Sequence, residues 1–171
     1  MLTVRAMTEA DVAAVSAIRV TGWKTAYAGI MPRSYLDRMT VEADALHRRH
    51  HFKRTREDTT NLVAVDAAGR VVGWACLGPY RGTGARATAG ELYALYAQPS
   101  LLGSGIGRTL LEAVHAHALA RNFDPVLLWV LTDNSTARRF YERAGYVADG
   151  AVQDDDYDGV CVPEVRYRRN L

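Results

Sequence analysis

The stretch from Glu91 to Arg108, E-L-Y-A-L-Y-A-Q-P-S-L-L-G-S-G-I-G-R, constrains the fold more than any other part of the chain. Glu91 to Ala97 alternates and is rich in aromatic and apolar residues, which is a strand pattern. Gln98-Pro99-Ser100 interrupts it, because proline has no N–H to give to a ladder. Gly103, Gly105 and Gly107 come next, and from there Ile106, Leu110, Ala113, Val114 and Ala118 mark one face of a helix. A strand, a glycine turn and a helix therefore follow one another directly. Such a turn leaves unpaired N–H groups at the positive end of the helix dipole, where a phosphate or pyrophosphate fits.

Spacing removes three familiar phosphate and nucleophile patterns. No run of four residues between glycines leads into Gly-Lys-Ser/Thr, so there is no Walker A loop. A G-x-G-x-x-G fingerprint starting at Gly103 and Gly105 would need a glycine where Arg108 stands. A G-x-S-x-G elbow around Ser104 fails at Leu102 and Ile106. What remains is G-x-G-x-G-R at the start of a helix, as a ligand cradle or as a purely structural loop.

The rest of the chain reads as one domain, residues 1–171. A length of 171 residues with 49% hydrophobic and 23% charged residues supports a single sizeable core. A net charge of +2 argues against nucleic acid or an acidic membrane as the main partner. The first residues lack the apolar core of a signal peptide, and the longest apolar block, Val126 to Leu131, is strand-sized. A cytoplasmic protein is expected, with Cys76 and Cys161 reduced. Leu2 to Arg5 reads as an edge strand, and Thr8-Glu-Ala-Asp11 as a capping-box-like helix start. Ser34 to Met39 and Val41 to Arg54 read as helices. Asn61 to Asp66 and Arg70 to Leu77 form a hairpin turning at Gly69, and Gly78 to Gly90 reads as a mobile loop. Asn134 caps a helix with Ala137, Phe140, Tyr141 and Ala144 on one face, and Gly145 ends it. Tyr146 to Asp149 and Val160 to Arg168 are the last strands, with an acidic loop at Asp154, Asp155, Asp156 and Asp158 between them. That loop is either solvated or attractive to a cationic amine. The basic segment from His47 to Arg56 reads as a solvated face, since His47 and His51 have no further metal ligand nearby.

Asn134-S-T-A-R-R-F-Y-E-R-A-G-Tyr146 resembles the second signature of the GNAT N-acetyltransferase superfamily. Leu102-Gly-Ser-Gly105-Ile-Gly107 is similar to its acetyl-coenzyme A motif, Arg/Gln-x-x-Gly-x-Gly/Ala, and departs from it at Leu102. The resemblance extends over most of the chain. It implies an α/β (α+β) domain with a mixed, mostly antiparallel sheet of six or seven strands flanked by helices, and a parallel pair splayed around the coenzyme. It implies acetyl-CoA as co-substrate, no metal, and a small-molecule amine or a peptide N-terminus as acceptor, with a homodimer left open. A binding module that senses acyl-CoA without turnover is the alternative.

Residue by residue, the resemblance assigns Leu102, Gly103, Ser104, Gly105, Ile106, Gly107 and Arg108 to the phosphates. Leu95, Tyr96 and Ala97 would pair with the pantetheine as an added strand, and the Tyr96 or Ala97 N–H would serve the oxyanion. Asn134 and Ala137 would meet the pantetheine arm, unless Asn134 only caps. Tyr141 would be the general acid for the leaving sulfur, unless it is a core aromatic. A lysine-like amine titrates at about 10.4, so a carboxylate must take its proton; Glu91 is the candidate. By alternation Glu91 would share a face with Tyr93 and Leu95. Trp23 and Tyr27, in a Trp-x-x-x-Tyr-x-Gly stretch, would wall the acceptor site or simply pack in the core. No covalent nucleophile is required.

Overall fold

Val4 and Arg5 stand opposite Ala64 and Val63, so the chain begins as the edge of a sheet. The computed structural model describes residues 1–171. The strands are β1 (Thr3–Ala6), β2 (Thr60–Val65), β3 (Val71–Pro79), β4 (Gly90–Ala97), β5 (Val126–Leu131), β6 (Val147–Tyr157) and β7 (Val160–Arg169). They form one sheet in the order β1-β2-β3-β4-β5-β7-β6, antiparallel throughout except between β4 and β5. The helices are α1 (Val12–Ala26), α2 (Arg33–Arg38), α3 (Val41–Arg54), α4 (Ile106–Ala120) and α5 (Ser135–Arg143). The parallel pair follows from α4, which crosses over the sheet between the two strands.

Helices cover both faces. On one, Ile106, Leu110, Leu111, Val114 and Ala118 of α4 are buried against Leu62, Val72, Ala75, Leu92, Val126, Leu128 and Val130. Burial of side chains of this kind stabilises by about 1.5–3 kcal/mol each. On the other, Val12 and Val15 of α1 pack on Val63, Val65, Trp74 and Cys76. The capping box is present: Asp11 accepts the Thr8 N–H at 2.8 Å and also binds Arg5. Helix α3 has no buried residue and carries the basic segment on its surface.

Three details depart from the sequence reading. The register shift between β3 and β4 leaves Tyr93 as an extra residue opposite Cys76 and Leu77. This bulge breaks the alternation, so Tyr93 and Ala94 both face the α1 side and Leu95 turns to the α4 side. Glu91 and Leu95 therefore do not share a face. Second, the acidic run is not a loop: Asp154, Asp155 and Asp156 lie within β6, and the turn is at Asp158 and Gly159. An edge strand exposed on both faces tolerates charge at every position, which erases the apolar alternation that marks a strand. Third, the two ends of the segment before β4 are tied down, with the Tyr80 N–H on Ala89 O at 3.0 Å and Arg81 held by Glu91. No helix is long and apolar enough to cross a membrane.

Candidate active site

β4 and β5 pair only at their start, Gly90 opposite Val126 and Glu91 opposite Leu127. Beyond that the strands part, and the β5-facing edge of β4 has no ladder partner. The Gln98 N–H bonds Val72 O on β3 at 2.9 Å. Pleat alternation then turns the Tyr96 amide to β3 as well, and leaves the backbone groups of Leu95 and Ala97 on the open edge. Two of the three residues expected to pair with an extended ligand are thus available. Tyr96 contributes its side chain instead, whose hydroxyl accepts the Trp23 Nε1–H at 2.9 Å.

The glycine turn stands at the N-terminus of α4. Gly103 and Gly105 have φ of +83° and +89°, a left-handed backbone that a side chain would strain, and no atom lies within 4 Å of where a Cβ would be. The amides of Gly103, Gly105, Ile106, Gly107 and Arg108 have no acceptor within the protein. Ser104 is used internally: its N–H and its hydroxyl both donate to Leu101 O, at 3.2 and 2.6 Å. A Cβ on Gly107 would stand 3.3 Å from Phe140 Cζ, so α5 closes directly on the turn. This arrangement of free, convergent donors with open space in front fits the pyrophosphate of a coenzyme. Leu102 is 67% exposed beside it, and Arg108 pairs with Glu112 at 3.1 Å on the surface.

Helix α5 begins with the Asn134 side chain accepting the Ala137 N–H at 3.2 Å, so Asn134 is a cap. Tyr141, two turns on, has no hydrogen-bond partner for its hydroxyl, and its ring meets Phe140 and Tyr146 edge-on at 5.2 and 5.7 Å. Burial, with Tyr96 and Tyr146 nearby, pushes its pKa well above that of an ordinary tyrosine, so it is a neutral phenol with a proton to donate. Behind it the Tyr146 hydroxyl stands 2.7 Å from His115 Nε2, and Arg169 donates to His115 Nδ1 at 3.0 Å. A guanidinium only donates, so Nε2 carries the imidazole proton and donates to Tyr146. Burial and then Arg169 lower the His115 pKa to about 4.

On the α1 side of the gap, Trp23 meets Tyr27 edge-on at 4.9 Å, and Tyr157 of β6 meets Tyr35 of α2 at 4.9 Å. Trp23, Tyr27 and Tyr157 pack around Met31, Leu36, Leu131 and Val162, so Trp23 and Tyr27 both belong to a core cluster and line this side. Asp158 accepts from Ser34 at 2.7 Å and from Arg38 at 2.8 and 2.5 Å, fastening the β6–β7 turn to α2. Glu91 is 3% exposed at the start of β4. Its carboxylate accepts the Arg81 N–H at 3.0 Å and the Arg81 guanidinium at 2.9 Å, and that guanidinium lies 3.8 Å from the centre of the Tyr93 ring. Arg81, Tyr35 and Tyr157 carry no signal in the sequence, because each is placed by contacts across the fold rather than by its neighbours in the chain.

The site thus has a donor turn at a helix N-terminus, a strand edge opened by a splayed parallel pair, and a protonated tyrosine beside them. Comparison with known proteins defines its class. The model of the acetyltransferase (GNAT) family matches residues 23–146, and the chain belongs to that family. It is an acetyltransferase of the N-acetyltransferase type. Among relatives, the uncharacterized N-acetyltransferase YuaI of Bacillus subtilis (strain 168) is 29% identical over 169 residues, covering 96% of this chain and 91% of that protein. Among solved structures, a ribosomal-protein-alanine N-acetyltransferase from Brucella melitensis shares the fold with a TM-score of 0.77 at 23% identity, over 99% of both chains. The PaiA N-acetyltransferase from Thermoplasma acidophilum, solved in complex with coenzyme A, has a TM-score of 0.73 at 21% identity, over 100% of this chain and 99% of that one.

Proposed function

We propose that the protein transfers the acetyl group of acetyl-CoA to the primary amine of a small molecule or a peptide N-terminus, by direct attack in a ternary complex. The observation that carries this reading is the set of unsatisfied amides of Gly103, Gly105, Ile106, Gly107 and Arg108, set beside an unpaired β4 edge and the free Tyr141 hydroxyl. Acetyl-CoA supplies an acyl group already activated as a thioester. The amides of Gly103, Gly105, Ile106, Gly107 and Arg108 hold the pyrophosphate. Leu95 and Ala97 pair with the pantetheine, and the Ala97 N–H serves the carbonyl oxygen, where charge develops during transfer. Asn134 and Ala137, at the start of α5, border the same arm.

Tyr141 donates its proton toward the departing sulfur. Its raised pKa keeps the phenol protonated at neutral pH. Trp23 and Tyr27 wall the acceptor side, where the buried Glu91–Arg81 pair holds the start of β4 in place. Leu102 weakens hold on the phosphates relative to a cation at that position. The test is release of coenzyme thiol across an amine panel, for wild type, Glu91→Gln and Tyr141→Phe. A loss of about 10²-fold or more in kcat for Tyr141→Phe is expected. Wild-type turnover in both variants would overturn these roles.

A further inference from the structure

Arg81 already occupies both oxygens of Glu91. The same face of the sheet holds a second carboxylate in the opposite condition. Glu164 of β7 stands opposite Leu131 of β5 and Gln153 of β6. Alternation along β7 puts it on the face of Val162, which packs with Leu131 against Trp23, Tyr27 and Tyr157. It is half-buried and makes no ion pair. One oxygen accepts the Gln153 side-chain N–H at 2.6 Å, and the other has no partner. Gln153 in turn lines an open cleft of about 300 Å³ with Tyr80, Trp129 and Arg166, so the partner of Glu164 reaches accessible space.

We propose that Glu164 is the group that takes the proton from the acceptor ammonium, directly or through one water. The inference rests on the acetyltransferase reading above. The ammonium N–H bond breaks as an O–H bond forms on the free Glu164 oxygen, and the nitrogen lone pair is released for attack. The N–C bond then forms as C–S breaks, the sulfur leaves as a thiol with the Tyr141 proton, and the second proton of the attacking nitrogen passes to the Tyr141 oxygen, leaving a neutral amide and a neutral phenol. Burial raises the pKa of Glu164 and the Gln153 bond lowers it, while the carboxylates of Asp155 and Glu91 raise it further. Arg81 is held by Glu91, Arg166 pairs with Asp149 at 2.7 Å, and burial raises the pKa of Tyr157 to about 12, so none of them replaces a proton acceptor near neutrality. The two carboxylates have divergent surroundings: Glu91 is held by Arg81, and Glu164 keeps one oxygen free to act as base.

The experiment is the pH profile of kcat/KM for thiol release, with the amine varied across its KM at saturating acetyl-CoA, for wild type, Glu164→Gln, Glu164→Asp and Gln153→Leu. Expected are a fall of about 10²-fold at neutral pH and loss of the acidic limb in Glu164→Gln. Glu164→Asp should keep that limb. Gln153→Leu should move it to higher pH, because a bond favouring the ionised form is gone. An unchanged acidic limb in Glu164→Gln, or no movement in Gln153→Leu, would overturn the proposal. If wild type acetylates no amine, the acetyltransferase reading fails; if wild type turns over and only these profiles disagree, the Glu164 role alone fails.

Discussion

His115 offers a perturbation whose size follows from the structure. Its imidazole sits between the Tyr146 hydroxyl and the Arg169 guanidinium, behind the ring that meets Tyr141. Burial and Arg169 disfavour the imidazolium and lower the pKa from 6.5 to about 4. In this window the unfolded chain binds a proton that the folded chain refuses, so stability rises with pH from about 4 to 6.5 and is full above it. Each pKa unit is worth about 1.4 kcal/mol, and integration gives a loss of about 2 kcal/mol at pH 5 and about 3 kcal/mol at pH 4. His115→Gln keeps a donor for Tyr146 and cannot titrate. Urea unfolding of wild type and His115→Gln between pH 7.5 and 5 measures the difference. With slopes of about 1–3 kcal/mol per molar, the wild-type midpoint should fall by about 0.7–2 M more than that of the variant. Parallel pH dependence in the two proteins would refute a neutral, caged His115.

Other consequences follow from the same geometry. Gly105→Ala forces a side chain into a left-handed backbone at about 1–2 kcal/mol and puts a Cβ in front of the donor turn. Its coenzyme A affinity by calorimetry should fall at least tenfold. Leu102→Arg, at a 67%-exposed position, should tighten coenzyme A binding several-fold, and more at low salt. Leu110→Ala, at a fully buried position of α4, should cost about 2–5 kcal/mol in denaturant unfolding.

The parts of the site carried by contiguous residues were legible in the sequence. Strand, glycine turn and helix are adjacent in the chain, so their spacing alone excluded competing loops, and the α5 segment announced its cap, its tyrosine and its terminal glycine. The parallel pairing of β4 and β5 followed from the helix between them. The remainder depends on register between distant strands. The Tyr93 bulge is a mismatch of β3 with β4, so counting along β4 could not place Leu95. Arg81 stood in a stretch that composition marks as mobile, yet the buried Glu91 carboxylate requires a partner and holds it. Glu164 became visible only when Leu131, Gln153 and Val162 defined its face.

The account turns on whether an amine receives the acetyl group. Incubation of the protein with acetyl-CoA, with and without a panel of primary amines, and mass spectrometry of the products alongside thiol release, measures this directly. The expected result is thiol release that depends on an amine and matches the N-acetylated product one for one. Thiol release independent of amine, or tight coenzyme binding with no acetylated product across the panel, would contradict it.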